Sequence, residues 1–113
     1  MNRTIAPSEL KQLLENRKTI LLLDVRRRVD YDTDGQKIPG AAWLDPERLT
    51  QWSTALPLDR EIVVYCARGG SVSNSVVDQL KAKGVKARFI EGGIEAWKAS
   101  GGQTVDSGAT KPK

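Results

Sequence analysis

The sequence holds one cysteine and no histidine in 113 residues, and those two counts sort the chemistry open to it. Zinc hydrolases, Ser-His-Asp hydrolases and Cys-His proteases each require an imidazole as ligand or base, and this chain has none. A single cysteine also forms no disulfide within the chain. If Cys66 does chemistry, something other than histidine must stabilise its sulfur anion. The surrounding run Cys66-Ala67-Arg68-Gly69-Gly70-Ser71 offers that stabilisation. Gly69 and Gly70 let the backbone turn tightly enough for successive N–H groups to converge as an anion-binding nest. A helical pattern begins at Ser71 and aims its positive end at the same place. On residue type alone a cysteine is more often an inert, buried small side chain; its position is what singles Cys66 out.

The elements that would hold this loop are legible on both sides. Glu61 to Tyr65, with Ile62-Val63-Val64-Tyr65 at its centre, reads as a strand ending directly at Cys66. Beyond the loop, Val72, Val76 and Leu80 recur at helical spacing, widened by Val77, until Lys81, Lys83 and Gly84 close the helix. Thr19 to Val25 is a second buried strand, Val85 to Ile90 another, and Ala42-Trp43-Leu44 a short one. Pro7 starts a first helix, ended at Asn16-Arg17-Lys18. Asp45-Pro46 caps a helix carrying Leu49 and Trp52, and Ile94 to Ser100 forms a last helix around Trp97. Arg26 to Lys37 reads as a charged loop with room for one helical turn, and residues 102–113 as a disordered polar tail after a domain spanning 1–101. Alternating strands and helices with long connections predict a mainly parallel sheet of about five strands, covered by helices on both faces. Ligands of such sheets sit beyond the carboxyl ends of the strands, where Asp24 to Arg28, Cys66 to Ser71 and Glu91 to Gly93 would meet.

Size and charge narrow the class. This length suits one domain, which should bury about 65% of its unfolded surface without disulfides or metal. The longest apolar run, Ile20 to Leu23, is too short for a signal or a membrane span, so a reducing cytoplasmic setting is expected. The net charge of +4, spread along the chain, favours anionic ligands and falls short of a nucleic-acid surface.

The arrangement strand, Cys-x-x-Gly-x-Ser, helix resembles the active-site loop of rhodaneses, the thiosulfate sulfurtransferases. Leu23-Asp24-Val25-Arg26, Ile38-Pro39-Gly40-Ala41 and Glu91-Gly92-Gly93-Ile94-Glu95-Ala96-Trp97 agree with the same family in the same order, so the likeness covers roughly residues 4–101. It implies a rhodanese-like three-layer α/β sandwich. It also implies ping-pong transfer in which Cys66 takes sulfane sulfur as a persulfide, from thiosulfate, 3-mercaptopyruvate or small persulfides, and gives it to cyanide, a thiol or a protein acceptor. No cofactor or metal is implied. By matching positions, amides from Ala67 through Arg68, Gly69, Gly70 and Ser71 to Val72 would cradle the persulfide, Arg68 would hold an anionic donor, and Asp24 and Arg26 would support the site. Two features depart from the family: Ser71 stands where many single-domain members have arginine, and Gly35-Gln36-Lys37-Ile38 replaces a frequent Gly-His-Ile.

Rival readings are sorted by the same residues. Phosphatases sharing the fold grip phosphate with arginine in a Cys-x5-Arg loop, and that position here is Val72. The alternative from another class is a silent binding or regulatory module, against which the presence of Cys66 argues, or a persulfide carrier serving a partner, with which Cys66 is compatible. Trp43, Trp52 and Trp97 read first as packing, Arg26-Arg27-Arg28 as a solvated loop or a steering cluster, and Gly92-Gly93 as a turn.

Overall fold

Ile20–Asp24 (β2) and Glu61–Tyr65 (β5) pair in parallel from Ile20 opposite Glu61 to Asp24 opposite Tyr65, making the centre of the sheet. The computed structural model describes residues 3–16, 20–68 and 70–106. Thr19, the stop at Arg17-Lys18, Gly69 of the cysteine loop and the tail from 107 onward lie outside the described residues. On one side of the centre Lys86–Ile90 (β6) joins β5, and Thr4–Ile5 (β1) joins β6; on the other, Ala42–Trp43 (β4) joins β2. The order β1-β6-β5-β2-β4 is parallel throughout.

Alternation along the central strands divides the apolar residues between two cores. Ile62 and Val64 face Leu23, Val76, Val77 and Leu80, so Ser71–Ala82 (α4) and the short Leu49–Trp52 (α3) cover that face. Val63 and Tyr65 face Leu10, Ile90, Ile94 and Trp97, so Pro7–Glu15 (α1) and Gly93–Ala99 (α5) cover the other. This is the three-layer α/β sandwich expected.

The differences are local. β1 falls in a stretch whose sequence runs polar into α1; its strand character comes from pairing Thr4 with Phe89 and Ile5 with Ile90. Asp45 does cap, accepting from the Glu47 N–H at 3.0 Å. Instead of one helix, however, it opens a 3-10 turn over Pro46–Arg48, then α3, then a second 3-10 turn over Ser53–Ala55. The charged loop holds a helix, Arg28–Thr33 (α2), and a two-residue strand, Gln36–Lys37 (β3).

The tail expectation needs correction over 102–106. Val105–Asp106 (β7) pairs antiparallel with β3. Trp97 Nε1 donates to the Gln103 carbonyl at 2.7 Å, and Thr104 Oγ1 bonds Gln36 Oε1 at 2.8 Å. Gly102 lies against the Trp97 ring, where an added Cβ would come within 2.3 Å of it. Apolar-poor composition did not reveal these contacts, because they rest on polar groups and on a ring presented by α5.

Candidate active site

β5 ends at Tyr65, and Cys66 leaves it at the carboxyl edge of the sheet, 6% exposed. The chain then passes Gly70, the N-cap of α4, which has no side-chain cap bond; Ser71 is the first helical residue and does not cap. Asn74 secures this entry, its N–H and its Nδ2 each donating to the Gly70 carbonyl at 3.1 Å. Arg3 in turn grips Asn74 through two hydrogen bonds of 3.0 Å and pairs with Asp78 at 2.7 Å. Nothing in the sequence near Arg3 signals this, since Asn74 lies 71 residues away and Asp78 further still.

The loop is held from behind by α5. The N–H of Ile94 donates to the Cys66 carbonyl at 3.0 Å and that of Glu95 to the Ala67 carbonyl at 3.2 Å. In a trans peptide the following N–H points opposite the carbonyl, and the described residues contain no cis bond. The N–H groups of Ala67 and Arg68 therefore point away from α5. Neither these nor the Gly70 N–H has a partner among the described residues, and the first N–H groups of α4, at Ser71 and Val72, have none by helix geometry.

Such close approach of α5 depends on Gly93, at φ +65°. A Cβ there would sit 2.4 Å from the Cys66 carbonyl oxygen and 2.6 Å from the Ala67 carbonyl carbon. What reads in sequence as a turn glycine is thus the contact surface between α5 and the cysteine loop. Gly93→Ala is expected to destabilise the fold by about 2–5 kcal/mol through left-handed strain and overpacking. Urea unfolding checks this, and a loss under about 1 kcal/mol would contradict the clash.

Opposite the loop stands a wall built by one buried arginine. Asp24 is fully buried and Arg26 is 1% exposed. Arg26 forks onto Asp24, Nε to Oδ1 at 3.0 Å and the far nitrogen to Oδ2 at 2.7 Å, while its own N–H also donates to Oδ1 at 3.0 Å. Its remaining donors reach the carbonyls of Asp34 at 3.1 Å and Gln36 at 3.0 Å, as a planar fork with five N–H groups allows. Burial alone would lower the Arg26 pKa, but the hydrogen bond and charge of Asp24 outweigh it and hold the guanidinium above its ordinary value. Burial and the neighbouring Asp24 carboxylate push the Tyr65 phenol well above its own, so it stays neutral; its oxygen accepts the Ile38 N–H at 3.2 Å. Of the three consecutive arginines, then, the first is a structural anchor and departs from the solvated cluster the sequence presents.

Arg26 stacks over Tyr31 at 5.3 Å, Tyr31 on Trp43 at 4.6 Å between centroids, and Arg28 over Trp43 at 5.9 Å. This column fixes α2 beside the site. Trp97 is a core residue at 3% exposure, while Trp43 and Trp52 are half-buried with their indole N–H groups on the carbonyls of Arg26 and Asp45.

Asp34 ties α2 to α5 through Lys98 Nζ at 2.5 Å. Burial pushes its carboxyl pKa up, but Lys98, the Gln36 N–H and Arg26 more than reverse that and hold it below the usual value. A lowered folded pKa gives stability that is present above the unfolded value and lost as pH falls through the folded one. Asp34→Asn should cost under about 1 kcal/mol near neutral pH, because the pair is partly exposed. The stability difference between the two proteins should shrink as pH falls through and below the ordinary carboxylate range; a gap that stays constant or widens on acidification would refute the assignment.

Between loop and wall lies a cleft of about 450 Å³. Cys66 to Arg68 and Gly70 to Val72 form one side, and Arg26, Arg27, Asp30, Thr33 and Asp34 the other, with Glu95 also lining it. Arg68 is mostly exposed and pairs with Glu95 at 3.4 Å. The structure therefore gathers Arg26, Cys66, Ala67, Arg68, Gly70, Ser71 and Val72 around one opening, with Asp24 buried behind Arg26 and outside the lining. Sequence reasoning passed over Asp30, Thr33, Asp34 and Glu95 as cleft residues; they read as ordinary loop and helix polar groups.

Residues 6–100 match the Rhodanese-like domain family, and the chain belongs to it. It is 32% identical over 100 residues to the thiosulfate sulfurtransferase GlpE of Coxiella burnetii, covering 88% of this chain and 90% of that one. It is 36% identical over 98 residues to the probable adenylyltransferase/sulfurtransferase MoeZ of Mycobacterium tuberculosis, where the match covers 83% of this chain and only 24% of the relative's length. Among solved structures, a rhodanese-related protein of Thermoplasma volcanium superposes with TM-score 0.77 at 28% identity, covering 92% of this chain and 98% of that one. Among the described residues no helix is long and apolar enough to cross a membrane.

Proposed function

We propose that this protein is a sulfurtransferase that carries sulfane sulfur on Cys66. The observation that supports this most directly is the pairing of a cysteine at the wall of an open cleft with peptide N–H groups beside it, at Ala67, Arg68 and Gly70, that have no partner among the described residues. Unpartnered donors next to a sulfur atom favour negative charge there, and a persulfide places that charge one atom further out.

With thiosulfate, the Cys66 thiolate attacks the sulfane sulfur, the donor S–S bond breaks, and sulfite leaves with the bonding pair. Cys66 then bears a persulfide anion. Cyanide or a thiolate attacks its outer sulfur and leaves as thiocyanate or a new persulfide, returning the Cys66 thiolate. No base is needed in either half, which suits a chain without histidine. The amides of Ala67, Arg68 and Gly70 to Val72 hold the persulfide, and Asp24 and Arg26 keep the opposite wall in place. Phosphoryl transfer fits less well, since the sixth position after Cys66 is Val72 and supplies no phosphate-gripping fork.

Intact mass spectrometry after incubation with thiosulfate or glutathione persulfide tests the reading. One sulfur atom added at Cys66 and removed by a reductant is expected; a protein that gains none from either donor, or gains it equally as Cys66→Ser, is not this enzyme.

A further inference from the structure

Three arginines line the cleft, and two of them have their charge answered. Arg26 is spent on Asp24 and on two carbonyls, and Arg68 lies against Glu95. The Arg27 side chain has no hydrogen bond, ion pair or ring contact among the described residues, and it is exposed. Its backbone is fixed: it is the N-cap residue of α2 in extended conformation, directly follows the buried Arg26, and gives its carbonyl to the Tyr31 N–H at 2.9 Å. A second hollow of about 300 Å³ borders the cleft and shares Arg27, Ser71 and Val72 with it. An unneutralised guanidinium on a fixed stem therefore stands where the two hollows meet, across from the cysteine loop.

The acids facing it are unequal. Asp34 is held by Lys98 and Arg26, and Glu95 by Arg68, so among the described residues Asp30 is the cleft carboxylate without a partner.

Resting on the sulfurtransferase reading, we infer that Arg27 is the specificity-determining residue for the donor: it binds the anionic group that trails the transferred sulfur, a sulfonate or a carboxylate, while Asp30 opposes that binding. A guanidinium forks onto either oxyanion in the same way, so thiosulfate and glutathione persulfide are two sources of one chemistry. The sulfur reaches Cys66 and the charged end stays on the Arg27 side. In the transfer described above Arg27 forms no covalent bond; it orients the donor so that sulfite or the thiolate departs toward the open hollow.

The test compares three donors on the full chain: thiosulfate, glutathione persulfide and 2-hydroxyethyl persulfide, which has no charge beyond its reacting sulfur. Arg27→Gln should raise KM about tenfold for at least one charged donor, as loss of a charge-assisted contact does. The uncharged donor should stay within about twofold, and kcat should change little. Arg27→Lys should recover part of the loss, and Asp30→Asn should lower KM for the same donor. Sulfite inhibition should weaken in Arg27→Gln if the sulfonate is the group bound. Arg48→Gln removes the same charge from an exposed position outside the cleft and controls for net charge.

A rise confined to one charged donor assigns Arg27 to that donor's anion. The inference is overturned if Arg27→Gln leaves both charged donors unchanged, raises all three equally, or is matched by Arg48→Gln. A wild-type protein that uses only the uncharged donor overturns it too while leaving sulfur transfer standing. A wild-type protein that loads no sulfur on Cys66 from any donor removes the underlying function, and is read directly by mass.

Discussion

Cys66→Ser is expected to reduce sulfur transfer by about a thousandfold or more, the scale of losing an irreplaceable nucleophile. A serine hydroxyl stays un-ionised near neutral pH, and no histidine is present to take its proton. The amides that favour an anion at this position cannot supply that missing base. The change is nearly isosteric at a site 6% exposed, so the fold should survive with a small stability loss. Initial rates of thiocyanate formation measure the effect, and circular dichroism with thermal melting shows that the variant is folded. A folded variant retaining more than about a tenth of the wild-type rate would place the reaction elsewhere. Complete folding with no turnover in either protein would instead favour a binding module.

Asp24→Ala is the second large effect, and it acts on the fold before the chemistry. Removing one partner of a buried ion pair strands the other charge, at a cost of about 3–5 kcal/mol. Here Arg26 would remain 1% exposed beside an empty acceptor. Unfolding in urea should show that loss, and the unfolded fraction should rise accordingly. Replacing both residues by apolar ones of similar volume should recover much of the stability, since a buried pair contributes little net beyond a packed core. Activity should not recover with it. Arg26 also holds the carbonyls of Asp34 and Gln36, and without that grip the wall carrying Arg27 and Asp30 is no longer fixed. A stable double variant with full activity would show that the wall can be placed without the ion pair.

The strongest elements could be read from residue order alone. Ile62-Val63-Val64-Tyr65 has no other use than a strand buried on both sides, and α4 carries its own periodicity and stop signals. With a strand before it and a helix after it, Cys66 had to lie at the carboxyl edge of the sheet, so the centre of the site followed from local pattern. Unlike β4, which turn punctuation marks out in the sequence, the two-residue strands β1, β3 and β7 hold too few residues to show a period, and each exists because a distant partner completes its ladder.

Side-chain roles divide in the same way. Arg26, Arg27 and Arg28 are one charge run in sequence; in the fold the first is buried on Asp24, the second lines the cleft with no side-chain partner among the described residues, and the third packs over Trp43 and pairs with Asp32. Gly92 and Gly93 are likewise one turn in sequence, yet only Gly93 meets the cysteine loop. Residue type and spacing determined the central strands, the longer covering helices and the cysteine at the sheet edge, because those depend on neighbours along the chain. Which arginine is consumed, which is left for a ligand, and which glycine carries a contact depended on chain segments brought together only by folding, and burial and pairing are properties of that assembled space.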